Sequence, residues 1–308
     1  MNILSLCDGI SCGQIALERA NVKVYNYFAS EIEKDSIKIT QKNYPNTIQL
    51  GDMTKIDKDV LDKLPKIDLI LSGTPCRDFS RCTIQGGSSN WNNMHSNGKG
   101  IHGKYSSLFF VFKEIYDYIK AHNNPDVKFL FENVVMKKSD EEVINEVLDT
   151  TSIKINSNLF SAQNRERLYW TNIPIKPLPT NESPLVLKDI ILDKDNVDEK
   201  YWYKKDFTFI GEHRSVCAMM ALKGHDIQKR VTSKYFKSPT LTSCRGGNLQ
   251  KKVYQDGRCR KLTPTEYEIL QTVPIGYTEG VSDSKRYNML GDGWTVDVIA
   301  HILKGLHE

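Results

Sequence analysis

The chain has 308 residues, enough for one large domain or two of ordinary size. Its 39% hydrophobic and 26% charged residues are typical of a soluble globular protein. No apolar run reaches the roughly 18 residues of a membrane span, and the N-terminal stretch MNILSLCDGI lacks the basic region of a signal peptide. We therefore expect a cytoplasmic protein without a membrane partner. Seven cysteines with no CxxC pair favour neither a disulfide framework nor a metal site.

Charge is unevenly distributed along the chain. The formal net charge is +4, yet residues 201–260 contain 13 Lys and Arg against 4 Asp and Glu, a local charge of +9. A basic segment in an otherwise slightly acidic protein suggests a surface that faces a polyanion. A solvated basic face without a partner is the alternative, and charge by itself favours it.

Short apolar runs alternate with amphipathic stretches over the first 135 residues. The runs predict strands, and the helical spacing of apolar residues predicts a helix over 107–119. Strands that are apolar on both faces and separated by helices predict a parallel α/β sheet. Ligands of such sheets bind outside the carboxyl ends of the strands. The predicted strands are 2–6, 24–30, 47–50, 67–72 and 127–133.

Glycine and acidic residues follow the first three predicted strands. The stretch DGISCG (8–13) allows a tight turn and a close backbone approach to a ligand at a helix N-terminus. Glu31 follows the second strand, where nucleotide-binding sheets hydrogen-bond a ribose. Asp52 follows the third strand, as an acceptor for an adenine amino group or as a helix cap. Together they indicate an adenosine-containing ligand.

Cys76 follows the fourth predicted strand, in the stretch LSGTPCRDFS (71–80). A free thiol has a pKa of about 8.5, so a cysteine nucleophile depends on activating neighbours. In isolation Cys76 is better explained as a small buried side chain. A nucleophilic role therefore depends on its partners.

Two partner sets follow further along the chain. Glu132 ends the apolar run FLFENV, where burial would favour its protonated form and make it a proton donor; a buried capping carboxylate is the alternative. Gln163, Arg165 and Arg167 occupy alternate positions of a predicted strand, which places them on one face. Paired arginines can hold a phosphate or brace a carboxylate, although a surface ion-pair ladder has the same pattern.

The chain changes character from residue 173 onward. The proline-rich stretch IPIKPLPTNESP and the polar, basic stretch after it predict a second, smaller domain over 173–261. A helix start is predicted at TPTE, with Thr263 as the N-cap and Glu266 completing a capping box. We expect 262–308 to return to the first domain, 1–172.

Eight motifs in chain order resemble those of the cytosine carbon-5 DNA methyltransferases: LSLCDGISCG, ASE, GD, GTPC, FENV, QNRERLYW, RKLTPTEYEILQTVP and LGDGWTVDVIAHI. The resemblance covers nearly all of the chain except about 173–258, which in this family reads the DNA target. It implies a Rossmann-like α/β sheet that binds S-adenosyl-L-methionine, carried by 1–172 and completed by 262–308. A smaller target-recognition domain would occupy 173–261.

The resemblance also implies a mechanism. Cys76 would add to carbon 6 of a cytosine extruded from the duplex, and Glu132 would hold ring nitrogen 3 and the exocyclic amine. Arg165 would hold the base and assist Glu132, with Arg167 in support. S-adenosyl-L-methionine would supply the methyl group and leave as S-adenosyl-L-homocysteine.

Binding residues follow from the same motifs. Those expected at the cofactor are Leu6, Asp8, Gly9, Ile10, Ser11, Gly13, Glu31, Ile32, Asp52, Met53, Gly73, Pro75, Leu108, Asp292, Trp294 and Val296. Those expected at DNA are Arg77, Ser80, Gln163, Thr242, Arg245 and Gly246. No metal is expected.

Three positions depart from the family pattern. Cys7 stands where a phenylalanine is common, Arg77 where an amide side chain is frequent, and Asp292 where asparagine is common. The loop between Cys76 and Leu108 is also longer than the family norm. None of these departures removes a reactive group.

The leading hypothesis is a monomeric DNA (cytosine-5-)-methyltransferase that acts on double-stranded DNA, alone or paired with a restriction endonuclease. An RNA cytosine-5 methyltransferase and a catalytically silent DNA-binding regulator are the alternatives. A nicotinamide-dependent dehydrogenase would explain the glycine cluster and Glu31 but not the PC, ENV and QNRER motifs.

Overall fold

The computed structural model describes residues 1–75, 78–79, 100–103, 106–244 and 248–307. The chain forms two compact units. The first comprises Met1–Ile155, Glu166–Lys176 and Ala300–Glu308, and the second comprises Asn156–Arg165 and Pro177–Ile299. Within the described ranges, no helix has the length and apolar character needed to cross a membrane.

A seven-stranded sheet of order β3-β2-β1-β4-β5-β7-β6 forms the centre of the first unit. Strands β1 to β5 are parallel, and β7 runs antiparallel to β5. The strands are β1 Asn2–Leu6, β2 Asn26–Ser30, β3 Ile48–Gln49, β4 Leu69–Ser72, β5 Lys128–Val134, β6 Ile153–Asn156 and β7 Glu166–Thr171. The helices are α1 Cys12–Arg19, α2 Lys34–Asn43, α3 Lys58–Leu61, α4 Leu108–His122 and α5 Lys138–Leu148.

The core of the first unit lies where α4 packs against the sheet. The helix buries one face, because its apolar residues recur at helical spacing. Phe112 of α4 stacks on Phe131 of β5 with ring centroids 5.1 Å apart, and Phe131 contacts Trp170 of β7 at 5.6 Å. These aromatic contacts hold the carboxyl end of β5 in a fixed position relative to β7.

A five-stranded sheet of order β12-β11-β10-β9-β8 lies in the second unit. Its strands are β8 Phe207–Phe209, β9 Val216–Met220, β10 Arg230–Ser233, β11 Lys252–Gln255 and β12 Arg258–Lys261. The helices are α6 Asp226–Lys229, α7 Pro264–Leu270 and α8 Asp283–Asp292; α9, Val296–Leu303, crosses from this unit into the first. The predicted capping box begins α7: Thr263 accepts from the Glu266 amide, and Glu266 accepts from the Thr263 amide.

The five predicted strands are all present, and the predicted α/β class is confirmed. One strand prediction is wrong, because β7 begins at Glu166 and so excludes Gln163 and Arg165. The compact units also divide the chain differently from the functional domains expected at 1–172, 173–261 and 262–308, which stay a prediction.

Candidate active site

The loop after β1 has a backbone conformation that few residues adopt. Cys7, Gly9 and Ser11 have positive φ angles of 56°, 62° and 56°. The Gly9 amide donates to Glu31 Oε2 at 2.7 Å, while Glu31 Oε1 accepts from the Ile32 amide at 2.7 Å. Glu31 therefore ties the loop after β1 to the end of β2, at the carboxyl edge of the sheet.

Asp8 connects the loop after β1 to β2 through side-chain hydrogen bonds. Its carboxylate accepts hydrogen bonds from Tyr27 Oη at 2.7 Å and from Ser11 Oγ. Burial raises the pKa of Asp8 to about 6, although hydrogen bonds from Ser11, Ser5 and Tyr27 favour the ionised form. A carboxylate with such a displaced pKa at the edge of a sheet is typical of functional sites.

Cys7 directly follows β1 and contacts a buried methionine. Its Sγ lies 3.3 Å from Met53 Sδ, and Met53 is buried. Burial raises the pKa of Cys7 to about 12, so the thiol is neutral at physiological pH. The two sulfur-containing side chains thus pack together at the start of the loop after β1.

Asp52 caps a short helix at the end of β3. Its Oδ1 accepts from the Thr54 amide at 2.9 Å and from Thr54 Oγ1 at 2.8 Å. These hydrogen bonds, the backbone one first, lower the pKa of Asp52. The helix-cap interpretation is thus observed for Oδ1, and a contact to an adenine amino group stays a prediction.

The described edge suits an adenosine-containing ligand. A Cβ atom added at Gly9 or Gly51 would meet nothing within 4 Å, so open space lies over both glycines. Ile32 is 67% exposed beside Glu31, which offers an apolar surface next to a carboxylate. Glu31 accepts from three backbone amides, those of Gly9, Ile32 and Glu33. A carboxylate has about four acceptor positions, so Glu31 can still accept from a ribose hydroxyl.

The loop after β4 is held by the end of β5. Asn133 Nδ2 donates to the Thr74 carbonyl at 3.2 Å and to Thr74 Oγ1 at 3.3 Å, and both residues are buried. Gly73 and Pro75 flank this contact and are half-buried. Asn133 therefore fixes the backbone that leads into Cys76, which itself lies outside the described residues.

Asp78 anchors the chain on the other side of Cys76. It is 4% exposed and accepts from the Ser106 amide at 2.9 Å. A Cβ at Gly103 would come within 2.2 Å of Asp78 Cγ, so only glycine allows this approach. The residues on both sides of Cys76 are therefore tied to neighbouring segments.

Glu132 forms an ion pair with Arg167. Arg167 Nε lies 3.0 Å from Glu132 Oε1, with the side chains 13% and 10% exposed. The antiparallel register of β5 and β7 aligns Glu132 with Tyr169 and Val134 with Arg167, which brings the two charged side chains to the same end of the strands. A nearly buried pair of this kind fixes the orientation of the carboxylate.

Arg165 and Gln163 do not share a strand face with Arg167. The Arg165 guanidinium is buried in the second unit and donates to three backbone carbonyls there. The structure records a contact with Glu132 for Arg167, the arginine expected in support, and this contact does not test the role expected of Arg165 at the base. Gln163 is fully buried and bonded to its neighbours, and its DNA contact stays a prediction.

The other predicted cofactor residues fall into both units. Leu6, Ile10 and Gly13 are buried and Leu108 is half-buried in the first unit. In the second unit Asp292 is exposed, Trp294 is half-buried, and Val296 is buried. Their roles stay predictions.

The predicted DNA contacts are described only in part. Thr242 is half-exposed in the second unit. Arg77, Ser80, Arg245 and Gly246 lie outside the described residues, as does most of the long loop between Cys76 and Leu108.

Three residues that hold this part of the structure were not predicted from the sequence to do so: Tyr27, Asp78 and Asn133. Asn133 directly follows Glu132 in the ENV motif, so an amide at a strand end was an available signal. Tyr27 and Asp78 gave no such signal, because their partners Asp8 and Ser106 are 19 and 28 residues away in the chain.

Comparisons with known proteins agree on one family. The family model for C-5 cytosine-specific DNA methylases matches residues 1–308. The chain is 28% identical over 348 aligned positions to the Type II methyltransferase M1.ScrFI of Lactococcus lactis subsp. cremoris, covering 99% of this chain and 78% of that protein. It is 25% identical to the Type II methyltransferase M.Bsp6I of Bacillus sp. (strain RFL6), covering 100% and 99%.

Solved structures show the same fold. The methyltransferase EhMeth of Entamoeba histolytica superposes with a TM-score of 0.71 at 18% identity, over 99% of this chain and 97% of that one. The Dnmt2 methyltransferase of S. pombe superposes with a TM-score of 0.70 at 15% identity, over the full length of both chains. At these identities the likeness concerns the fold.

Proposed function

The chain belongs to the C-5 cytosine-specific DNA methylases, which transfer a methyl group from S-adenosyl-L-methionine to carbon 5 of cytosine in DNA, and we propose that it does so through a covalent Cys76 adduct. The cytosine would be turned out of the duplex, within one short DNA sequence. The observation that carries this proposal is the Glu132–Arg167 pair at the end of β5, beside the loop that leads into Cys76.

The cofactor would be held by the loop after β1 and the end of β2. Glu31 would accept from the ribose hydroxyls, Ile32 would pack against the adenine, and the open space over Gly9 would receive the ligand. When bound, S-adenosyl-L-methionine supplies an electrophilic methyl group. We propose Asp8 and Ser11 as the residues that shape this loop, with Asp52 near the adenine.

The nucleophile would be the thiolate of Cys76. Its sulfur forms a bond to carbon 6 of the ring, which makes carbon 5 nucleophilic toward the methyl group. Loss of the carbon 5 proton and elimination of the sulfur then restore the aromatic ring and the free enzyme. Asn133 and Asp78 support this step by fixing the backbone before and after Cys76.

Glu132 would bind the edge of the extruded cytosine. A carboxyl group at ring nitrogen 3 and the exocyclic amine stabilises the charge that develops when sulfur adds to carbon 6. Arg167, 3.0 Å from Glu132, would orient this carboxylate and can reach a neighbouring carbonyl of the base. Removing Arg167 would therefore slow the chemical step.

The basic second unit would bind the duplex. Residues 201–260 carry the local charge of +9, and phosphate contacts from such a surface give salt-dependent affinity. Thr242, Arg77, Ser80, Arg245 and Gly246 are proposed contacts. We propose a monomer that acts alone or with a restriction endonuclease.

Bisulfite sequencing of plasmid DNA from cells that express the protein tests the activity. We expect 5-methylcytosine in one short sequence context, lost in Cys76→Ser and retained in Cys82→Ser, a matched control six residues away and outside the eight family motifs. Duplex DNA containing 5-fluorocytosine tests the adduct, because fluorine does not leave carbon 5 as a proton does and the complex then resists denaturation. Methylation of RNA but not of DNA would refute the proposal.

A further inference from the structure

Two segments of the second unit run side by side: the anchor segment, 161–165, and the presented segment, 238–244. The Asn164 amide donates to the Ser238 carbonyl at 2.9 Å, and Thr240 Oγ1 donates to the Asn164 carbonyl at 2.7 Å. These bonds set the register between the segments. The presented segment contains Thr240 and the half-exposed Thr242.

Gln163 fastens the middle of the presented segment. Its Oε1 accepts from the Leu241 amide at 2.9 Å, and its Nε2 donates to the Leu270 carbonyl at 3.2 Å and to Gln271 Oε1 at 3.0 Å. Gln163 is 0% exposed, so it offers no surface to a ligand. Its amide instead connects the presented segment to the end of α7.

Arg165 binds the backbone of Leu241 as well, at its carbonyl rather than at its amide. Arg165 Nη1 donates to the Leu241 carbonyl at 2.8 Å, and Nη2 donates to the carbonyls of Gly291 and Gly293 at 3.2 and 2.9 Å. Gly291 lies in the last turn of α8, where carbonyls lack helical partners and the helix dipole favours a cation. The rigid guanidinium fork can reach these carbonyls together, whereas a lysine ammonium is a compact charge.

Gly291 brings α8 against the backbone of the presented segment. A Cβ at Gly291 would lie 2.3 Å from both the carbonyl carbon and the carbonyl oxygen of Thr242. Because backbone cannot yield as a flexible side chain does, any side chain at position 291 would displace the presented segment. Glycine is thus required for the contact.

We propose that Gln163 and Arg165 are positioning residues for DNA recognition, which hold the presented segment against α8 so that Thr242 meets the duplex in a fixed place. The proposal rests on the proposed function, because it takes the presented segment as part of the DNA-binding surface. Under this proposal the two arginines of the QNRERLYW motif have different roles. Arg167 serves the chemical step through Glu132, and Arg165 serves DNA binding and sequence discrimination.

Matched substitutions of the two arginines test this division. For Arg165→Lys we expect the KM for DNA to rise about tenfold or more and the preference for the target over a site with one changed base pair to fall, with kcat within about threefold of wild type. For Arg167→Lys we expect kcat to fall about a hundredfold with little change in the KM for DNA. A fall in kcat for Arg165→Lys with an unchanged KM and preference would overturn the proposal.

Hydrogen exchange supplies a measurement that does not require activity. In Arg165→Lys the amides of the presented segment should exchange faster, while those of β5 keep wild-type protection; unchanged exchange at the presented segment would overturn the proposal. If Arg165→Lys fails to fold, Gly291→Ala replaces it, with the same expected rise in KM and the same criterion for refutation. Wild-type protein that methylates no DNA would refute the proposed function, and the exchange result would still decide the positioning role.

Discussion

A buried ion pair in the second unit leads to a quantitative prediction about stability. Arg260 Nη2 lies 2.6 Å from Glu266 Oε1, and Nη1 donates to Oε2 at 2.8 Å, with both side chains 0% exposed. Glu266 also accepts from the amides of Leu192 and Thr263 at 2.8 and 2.6 Å. This one carboxylate therefore joins β12, the start of α7 and the segment before β8.

Glu266→Gln keeps the shape of the side chain and removes its charge. The buried guanidinium then loses its counter-charge, which costs about 3–5 kcal/mol, so we expect the free energy of unfolding to fall by about 4 kcal/mol. Glu199→Gln is the matched control, because Glu199 pairs with Arg258 at 2.5 Å while the two side chains are 59% and 47% exposed. We expect little change there, because solvent screens the exposed pair.

Urea unfolding followed by tryptophan fluorescence measures both variants. Trp202 is a local reporter, because the guanidinium carbons of Arg258 and Arg260 lie 4.5 and 5.7 Å from its ring centroid. Equal losses in the two variants would refute the reasoning that burial sets the cost. The double variant Arg260→Met with Glu266→Gln should recover part of the lost stability, because it removes both buried charges and keeps one side-chain oxygen as an acceptor for the Leu192 or Thr263 amide.

Two further predictions concern the edge of the first sheet. Because burial raises the pKa of Asp8 to about 6, the folded state binds a proton more tightly than the unfolded state, so stability should fall as pH rises from about 4 to 6, by about 2–3 kcal/mol. Asp8→Asn should lack this fall when unfolding is measured across that pH range, and an identical pH profile would contradict the expectation. Asn133→Ala should lower the free energy of unfolding by about 1–3 kcal/mol in urea melts, because it leaves the buried Thr74 carbonyl without its side-chain donor. Asn133→Ala should also slow methylation, and an unchanged rate would mean that the backbone before Cys76 needs no such support.

Much of the first unit was predictable from local patterns. Each parallel strand is a short apolar run between polar residues, so the strands of the sheet could be read from single segments. The positions of Glu31, Asp52 and Glu132 at strand ends followed from the rule that parallel strands expose their carboxyl ends at one edge. In the second unit the capping box of Thr263 and Glu266 was also predictable, because its two partners are only three residues apart in the sequence.

The roles of the two arginines were not predictable in this way. Alternation suggested one face for Arg165 and Arg167, but alternation holds only inside a strand, and β7 begins between them at Glu166. The partners of Arg165 lie 76 to 128 residues away in the chain, and no local pattern specifies which carbonyls a buried guanidinium will meet.

The sequence by itself determined the fold class, the family and the chemical groups available at the sheet edge, because those depend on periodicity and on motifs within short stretches. Only the tertiary structure decided how these groups are used: that Arg167 pairs with Glu132, that Gln163 is interior, and that Asn133 holds the loop before Cys76. The physical reason is that hydrogen bonds and ion pairs are short-range and directional, so their partners are chosen by packing between segments that are distant in the chain.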